Sequence, residues 1–136
     1  MKPYIFFACI LFFPGFLFSQ AVVSININGS INPASAEYIR NSIQQAKAQK
    51  AECLLIHLST PGGLLNSTRD IVSDFLKSTV PIVVYVSPSG THAVSAGVFI
   101  TMAANVAAMA PGTNIGAAHP VYLQGSPDSI MNLKGK

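Results

Sequence analysis

Residues 53–76 read CLLIHLSTPGGLLNSTRDIVSDFL, and this stretch decides the fold. Its first part, Cys53 to Leu58, is a short and almost wholly apolar run, which is typical of a central parallel strand covered on both faces. Pro61-Gly62-Gly63 ends this strand, and apolar residues then recur at the spacing of a helix that closes near Ser78. The stretch therefore predicts a strand that leads through a glycine turn into a helix.

The same alternation continues on both sides of this unit. Asn32-Pro33 indicates a helix cap followed by proline at the first helical position. The helix predicted over 95–105 is apolar nearly all round, which predicts an interior position. The predicted class is α/β, with a mostly parallel sheet and right-handed crossover helices. The remaining predicted elements are a strand over 22–28, a helix over 33–50, a strand over 81–86, a helix over 95–105 and a strand over 106–109.

The two ends of the chain differ from this pattern. Residues 1–21 have a lysine, Lys2, near their start, then an apolar run, and they finish with Ser19-Gln20-Ala21. This pattern predicts a signal peptide cleaved after Ala21. The last stretch, Gly112 to Lys136, contains turn residues but no complete predicted element. We therefore expect one domain over 22–136, incomplete at its C-terminus and prone to self-association as a homo-oligomer.

Composition excludes several classes of function. The formal charge is only +3 and its cations are scattered, which does not indicate a nucleic-acid partner. His57, His92 and His119 are widely spaced and no paired His or Cys motif accompanies them, so neither a metal site nor a cofactor is predicted. Cys53 is expected to be a small buried apolar residue rather than a nucleophile.

Three segments reach the carboxyl ends of predicted parallel strands, where function gathers in such sheets: 59–63, 87–97 and 110–119. A serine at position 95 would lie at a helix N-terminus, where unpaired N–H groups and the helix dipole favour an anion. If Ser95 is a nucleophile, the N–H groups of Gly63 and Ala96 are the natural oxyanion donors. Loop-to-helix turns without any catalytic role would, however, give the same pattern.

The order and identity of four segments favour a catalytic role for Ser95. These segments are Leu58–Leu65, Pro81–Gly90, Ser95–Gly97 and Ala110–Pro120. Together they strongly resemble the NfeD family of membrane-bound serine proteases, which share the fold of the Clp proteases and crotonases. The resemblance extends over about Val22 to Lys134. Family members continue with further helices, transmembrane segments and often a small β-domain, so this chain corresponds to their N-terminal part.

The resemblance implies a serine endopeptidase with a Ser-Lys dyad. Ser95 corresponds to the family nucleophile, and Gly63 with Ala96 to its oxyanion donors. Lys134 best fits the place of the family lysine, with Lys136 as second choice. A lysine that acts as base must be neutral, which requires burial or a nearby cation to lower its pKa. His119 is a competing base, because Clp proteases carry a histidine in a broadly similar place.

The resemblance also implies where the protein acts and on what. The expected substrate is a hydrophobic peptide segment, for example of a stomatin-like membrane protein, cleaved at or near a membrane on the exported side. Two alternatives remain: a crotonase-like enzyme that acts on an acyl thioester, and a non-catalytic remnant that binds a peptide or partner through the same groove. The predicted signal peptide argues against the thioester enzyme, since coenzyme A esters are not expected outside the cytoplasm.

Overall fold

The computed structural model describes residues 21–118, in which strands and helices alternate as the sequence predicts, apart from two additional short strands. The elements, in chain order, are β1 (Val22–Asn28), α1 (Pro33–Ala48), β2 (Cys53–Ser59), α2 (Leu65–Lys77), β3 (Ile82–Val86), β4 (His92–Val94), α3 (Ala96–Ala103), β5 (Val106–Met109) and β6 (Asn114–Gly116).

Four of these strands form one parallel sheet in the order β1-β2-β3-β5. Their register aligns Ile25 of β1 with Ile56 of β2, and Ile56 with Val84 of β3. Because parallel neighbours run in the same direction, all four strands end at one edge of the sheet. The turns that follow the strands are therefore brought to this edge.

The core lies between one face of this sheet and the three helices. Alternate residues of β1, β2 and β3 point into it, and Leu54, Ile56 and Leu58 are fully buried. Helix α2 packs between α1 and α3, and Ile71 and Phe75 of α2 belong to the same cluster. Burial of aliphatic side chains at this layer is the main favourable contribution to the stability of the domain.

The opposite face of β2 is less covered than the sequence predicts. Cys53, Leu55 and His57 all point to this face and remain partly exposed. Cover on both faces was expected because the run is almost wholly apolar. Among residues 21–118, however, the helices pack on one face only, so β2 is buried on alternate residues.

Helix α1 begins as predicted. The side-chain oxygen of Asn32 accepts the Ser35 N–H at 3.0 Å, and the Ser35 hydroxyl accepts the Asn32 N–H at 2.9 Å. This reciprocal pair satisfies two N–H groups that the helix itself leaves unpaired. Pro33 occupies the first helical position, where its missing N–H has no consequence.

Helix α3 is not fully interior. Phe99 and Met102 are 47% and 76% exposed, while Ile100 on the opposite face is fully buried. Apolar residues all round the helix predicted burial on every side, but among the described residues α3 packs mainly against α2, β3 and the short strands. Within residues 21–118, no helix has the length and apolarity needed to cross a membrane.

The sequence also did not predict β4 and β6, which pair in parallel as a separate two-stranded sheet. Each has only three residues, too few for a recognisable alternation. Strand β6 lies within the stretch after Gly112 that was expected to contain no complete element. These two strands position the candidate site.

Candidate active site

Ser95 occupies a strained turn between β4 and α3. Its φ is +52° and its ψ is −111°, a conformation that residues other than glycine rarely adopt. The side chain of Ser95 does not cap the helix that follows. A serine held at positive φ in a strand-to-helix turn is the geometry of the nucleophile elbow in hydrolases.

The backbone on both sides of Ser95 is fixed by hydrogen bonds. Its N–H donates to the carbonyl oxygen of Gly116 in β6 at 2.9 Å, and its carbonyl oxygen accepts the Val98 N–H at 3.1 Å. Helix α3 then begins with Ala96 and Gly97, both buried. Their N–H groups have no partner within the helix and, with the helix dipole, favour negative charge beside Ser95.

Gly62 lies directly against the Ser95 side chain. A Cβ built on Gly62 would lie 2.8 Å from the Cβ of Ser95 and 3.2 Å from its Oγ. Gly62 also has a φ of +117°, which side chains disfavour. Glycine is therefore required at this position for two reasons, the backbone conformation and the close contact with the Ser95 side chain.

The next residue, Gly63, pairs with Ile31 in a parallel bridge. The Ile31 N–H donates to the Gly62 carbonyl oxygen at 2.8 Å, and the Leu64 N–H donates to the Ile31 carbonyl oxygen at 2.9 Å. In such a bridge the N–H of the flanked residue points to the other side of the strand. The Gly63 N–H is therefore directed away from Ile31, as an oxyanion donor must be.

The Ile31 bridge also explains the second glycine. A Cβ on Gly63 would lie 2.1 Å from the Ile31 carbonyl oxygen. A backbone atom cannot move aside as the end of a side chain can. Any other residue at position 63 would therefore separate the turn from the β1–α1 loop.

The three segments expected at the carboxyl edge do meet there. The Thr60 N–H donates to the His92 carbonyl oxygen at 2.9 Å, and the Val94 N–H donates to the Thr60 carbonyl oxygen at 3.1 Å. Strand β6 follows on the other side of β4, through its pairing and through the Gly116 bond to Ser95. The glycine turn, the serine turn and β6 thus form one continuous arrangement.

Of the residues assigned a role from the sequence, Ser95, Gly63 and Ala96 lie in this arrangement. The candidate bases Lys134, Lys136 and His119 lie outside the described residues, so their roles stay predictions.

Sequence reasoning missed three contributors, Ile31, Thr60 and Gly116. Thr60 had a recognisable signal, because a hydroxyl residue two positions before a turn glycine often bonds to the backbone of that turn. Ile31 and Gly116 act through their main chains, which leave no mark in the residue type.

His57 and His92 are the histidines that lie within residues 21–118. The Nδ1 of His57 and the Ser87 hydroxyl are joined by a hydrogen bond of 2.9 Å, and the His57 ring packs edge-on against Tyr85. It lines a cavity of about 560 Å³ on the less covered face. His92 is the exposed first residue of β4. No group of three or more metal-binding side chains is assembled within residues 21–118.

The fold defines the structural class to which this protein belongs. A parallel sheet with crossover helices and these short strands is the Clp protease-like fold, and ClpP1 from Listeria monocytogenes has it. That structure superposes with a TM-score of 0.63 at 18% identity, over 82% of this chain and 65% of its own. At this identity the likeness concerns the fold alone.

The chain belongs to the NfeD1b family, whose N-terminal domain matches residues 21–129. The resemblance drawn from the sequence is thereby confirmed. The membrane-bound protease PH1510 of Pyrococcus horikoshii is 34% identical over 120 residues, which cover 88% of this chain and 27% of the relative. The membrane protein NfeD1b of Bacillus subtilis is 34% identical over 107 residues, or 79% and 24%. The chain thus spans about a quarter of these relatives.

Two further solved structures are more similar to this chain in sequence and in fold. Both are of 1510-N, described as a membrane-bound stomatin-specific protease. A serine-to-alanine mutant superposes with a TM-score of 0.74 at 34% identity, over 85% of this chain and 59% of its own. A lysine-to-alanine mutant in complex with a substrate peptide gives 0.77 at 34% identity, over 87% and 57%. These relatives are thus proteases studied by replacing one serine and one lysine.

Proposed function

We propose that this chain is the catalytic N-terminal part of a membrane-associated serine endopeptidase that uses a Ser-Lys dyad. One observation carries the proposal: Ser95 sits at positive φ in a strand-to-helix turn, with Gly62 packed against its side chain. Strain of this kind is tolerated where the surrounding structure fixes it and is concentrated at functional sites. The mutant structures of 1510-N support the choice of a serine and a lysine.

In this proposal the Ser95 hydroxyl attacks the scissile carbonyl carbon. The oxygen of that carbonyl becomes negatively charged and is held by the N–H groups of Gly63 and Ala96, with support from the α3 dipole. The proton of Ser95 passes to the base, which then returns it to the leaving amine. Water hydrolyses the acyl-enzyme in the second half of the reaction.

Lys134 is the base in this proposal, and Lys136 and His119 are its alternatives. The lysine must be neutral to accept the Ser95 proton, so its surroundings must lower its pKa. The choice of lysine over His119 rests on the lysine that was replaced in the 1510-N structure with bound peptide.

The proposed substrate is a hydrophobic segment of a stomatin-like membrane protein, the partner class named for 1510-N. Exposed apolar side chains beside the two turns support this preference: Leu64 and Leu65 follow the glycine turn, and Phe99 lies one helical turn beyond Ser95. Leu65 and Phe99 also line a mostly apolar groove of about 540 Å³. An extended apolar peptide would bury this surface.

We further propose that the protein is exported, with residues 1–21 as its signal peptide. Strand β1 begins at Val22, directly after the proposed cleavage site, so cleavage there leaves the whole of β1 in the mature chain. It removes one hydrogen bond outside β1, in which the Glu52 N–H donates to the Ala21 carbonyl oxygen at 2.9 Å. N-terminal sequencing of protein recovered outside the cytoplasm should start at Val22, and an uncleaved Met1 terminus on recovered protein would contradict cleavage.

The test of the proposed activity is cleavage of a quenched fluorescent peptide with an apolar sequence by the full chain. Replacing Ser95 or Lys134 by alanine should abolish turnover, whereas Lys136→Ala and His119→Ala should retain it. Ser24→Ala and Lys47→Ala are matched controls, because both residues are exposed and lie in β1 and α1. Light scattering on the same samples reports the proposed self-association.

Two outcomes would redirect the proposal. Turnover that survives Lys134→Ala but is lost in His119→Ala or Lys136→Ala would move the base to that residue. A folded chain that binds the peptide with measurable affinity yet never cleaves it would favour the non-catalytic peptide-binding module and overturn the peptidase.

A further inference from the structure

Thr60 is a buried polar residue between the glycine turn and the serine turn. Its exposed fraction is 0%, and its main chain pairs with Ala93 of β4 in an isolated bridge. A fully buried hydroxyl is tolerated only where it is hydrogen-bonded. The partners of the Thr60 hydroxyl therefore indicate what the residue does.

Both partners belong to Gly62. The Gly62 N–H donates to the Thr60 Oγ1 at 3.0 Å, and the Thr60 hydroxyl donates to the Gly62 carbonyl oxygen at 3.1 Å. The Ile31 N–H donates to the same carbonyl oxygen from the β1–α1 loop. The Gly62 carbonyl is thus held by one side chain and one main-chain group.

This carbonyl shares a peptide plane with the Gly63 N–H. In a trans peptide the C=O and the N–H point in opposite directions, so fixing one fixes the other. The hydroxyl of Thr60 therefore sets the direction of the proposed oxyanion donor at Gly63, although it does not touch that N–H itself.

The methyl group of Thr60 contacts the second turn. A Cβ built on Gly97 would lie 2.7 Å from the Thr60 Cγ2, so this methyl lies against the start of α3 just after Ala96. One side chain thus touches the turn that carries the Gly63 N–H and the helix start that carries the Ala96 N–H.

We propose that Thr60 is the positioning residue of the oxyanion hole, its hydroxyl orienting the Gly62–Gly63 peptide and its methyl setting the distance to α3. This inference rests on the proposed function. Oxyanion donors act only at hydrogen-bond distance from the developing charge. A reorientation of the Gly63 N–H should therefore slow the chemical step and leave substrate binding largely intact.

The test compares two variants. Thr60→Val keeps the methyl and removes the hydroxyl, and Thr60→Ser keeps the hydroxyl and removes the methyl. The full chain is titrated with a fluorophosphonate, and the maximal labelling rate is separated from the concentration that gives half of it. We expect Thr60→Val to lower the maximal rate by about 10- to 100-fold at an unchanged half-saturating concentration. Because Thr60→Ser loses only the methyl, its maximal rate should lie between that of Thr60→Val and that of the parent.

A purely structural role predicts a different result. Ile39→Val, a truncation of a fully buried residue in α1, provides a variant whose melting temperature falls without change near either turn. If Thr60→Val labels at the parent rate while folded, or loses only what Ile39→Val loses at equal melting temperature, the proposal is overturned.

A second readout keeps the inference separate from the proposed peptidase. Hydrogen exchange of the Gly62 amide is measured in a Ser95→Ala background, where no chemistry occurs. Exchange should be faster in Thr60→Val and near the parent value in Thr60→Ser. Absence of labelling in the parent would refute the peptidase alone, whereas an unchanged Gly62 amide would refute the role of Thr60.

Discussion

Gly62 and Ser95 are in direct contact: a Cβ at position 62 would lie 2.8 Å from the Cβ of Ser95. The two residues come from different strand ends and both have positive φ, +117° and +52°. Each turn thus occupies space that the other leaves open. Interdependence of this kind is expected where a reactive hydroxyl is held in one orientation.

Gly62→Ala should replace this contact by a steric clash. The new methyl group would push Ser95 or the turn aside, so labelling of Ser95 by a fluorophosphonate should fall by about 100-fold. The folded state should lose about 1–3 kcal/mol through backbone strain alone. Thermal unfolding and labelling rates measured on one preparation give both values.

Gly29→Ala is the matched control. Gly29 has nearly the same φ, +114°, but nothing lies within 4 Å of a Cβ built there. It should show a similar loss of stability with labelling close to that of the parent. Equal labelling losses in the two variants would mean that strain, and not the contact with Ser95, is responsible.

Gly63→Ala should be more disruptive to folding than Gly62→Ala. Its Cβ would lie 2.1 Å from the Ile31 carbonyl oxygen, which is main chain, so the bridge must open. Chemical denaturation should show a loss of about 3 kcal/mol or more, at the upper end for an overpacked site. Gly116→Ala, where a Cβ meets nothing within 4 Å, should change stability by about 1 kcal/mol or less. A tolerated Gly63→Ala would show that the Ile31 bridge is not formed.

Asn32→Ala tests the start of α1. Removing the side-chain oxygen leaves the Ser35 N–H without its capping partner, which should destabilise the domain by about 1 kcal/mol. Asn41→Ala, in the exposed middle of the same helix, should be neutral or slightly stabilising because alanine favours helix. The free energy of unfolding from denaturant titration measures both, and equal values would contradict the cap.

Ile56→Ala and Leu55→Ala compare the two faces of β2. Ile56 is fully buried against the helices, so its truncation should cost about 2–5 kcal/mol. Leu55 points to the less covered face and is partly exposed, so its truncation should cost about half as much or less. Equal costs, measured by denaturant titration of the full chain, would show that the second face is also buried.

Much of the fold could be predicted because its signals are local. The alternation in Val22–Asn28, the cap at Asn32 and the apolar run from Cys53 each specify an element through residue type. The structure bears out these elements and the parallel sheet. The sequence did not specify which apolar residues are covered: Phe99 is exposed and Leu55 is partly exposed, since burial depends on which elements pack nearby.

The site was only partly predictable for a related reason. Gly62-Gly63 and Ser95 stand out because their residue types are required by close approach and by the serine turn. The bridge at Ile31 and the bond from Ser95 to Gly116 use main-chain groups, which every residue carries. The short strands β4 and β6 are likewise defined by their partners rather than by their own sequence.

The assignment of Ser95 as the nucleophile is tested by mapping a fluorophosphonate adduct by mass spectrometry of the full chain. We expect a single covalent adduct on Ser95, absent from Ser95→Ala although that variant remains folded. A folded chain that acquires no adduct, or an adduct that persists in Ser95→Ala, would contradict the assignment of Ser95 as the nucleophile.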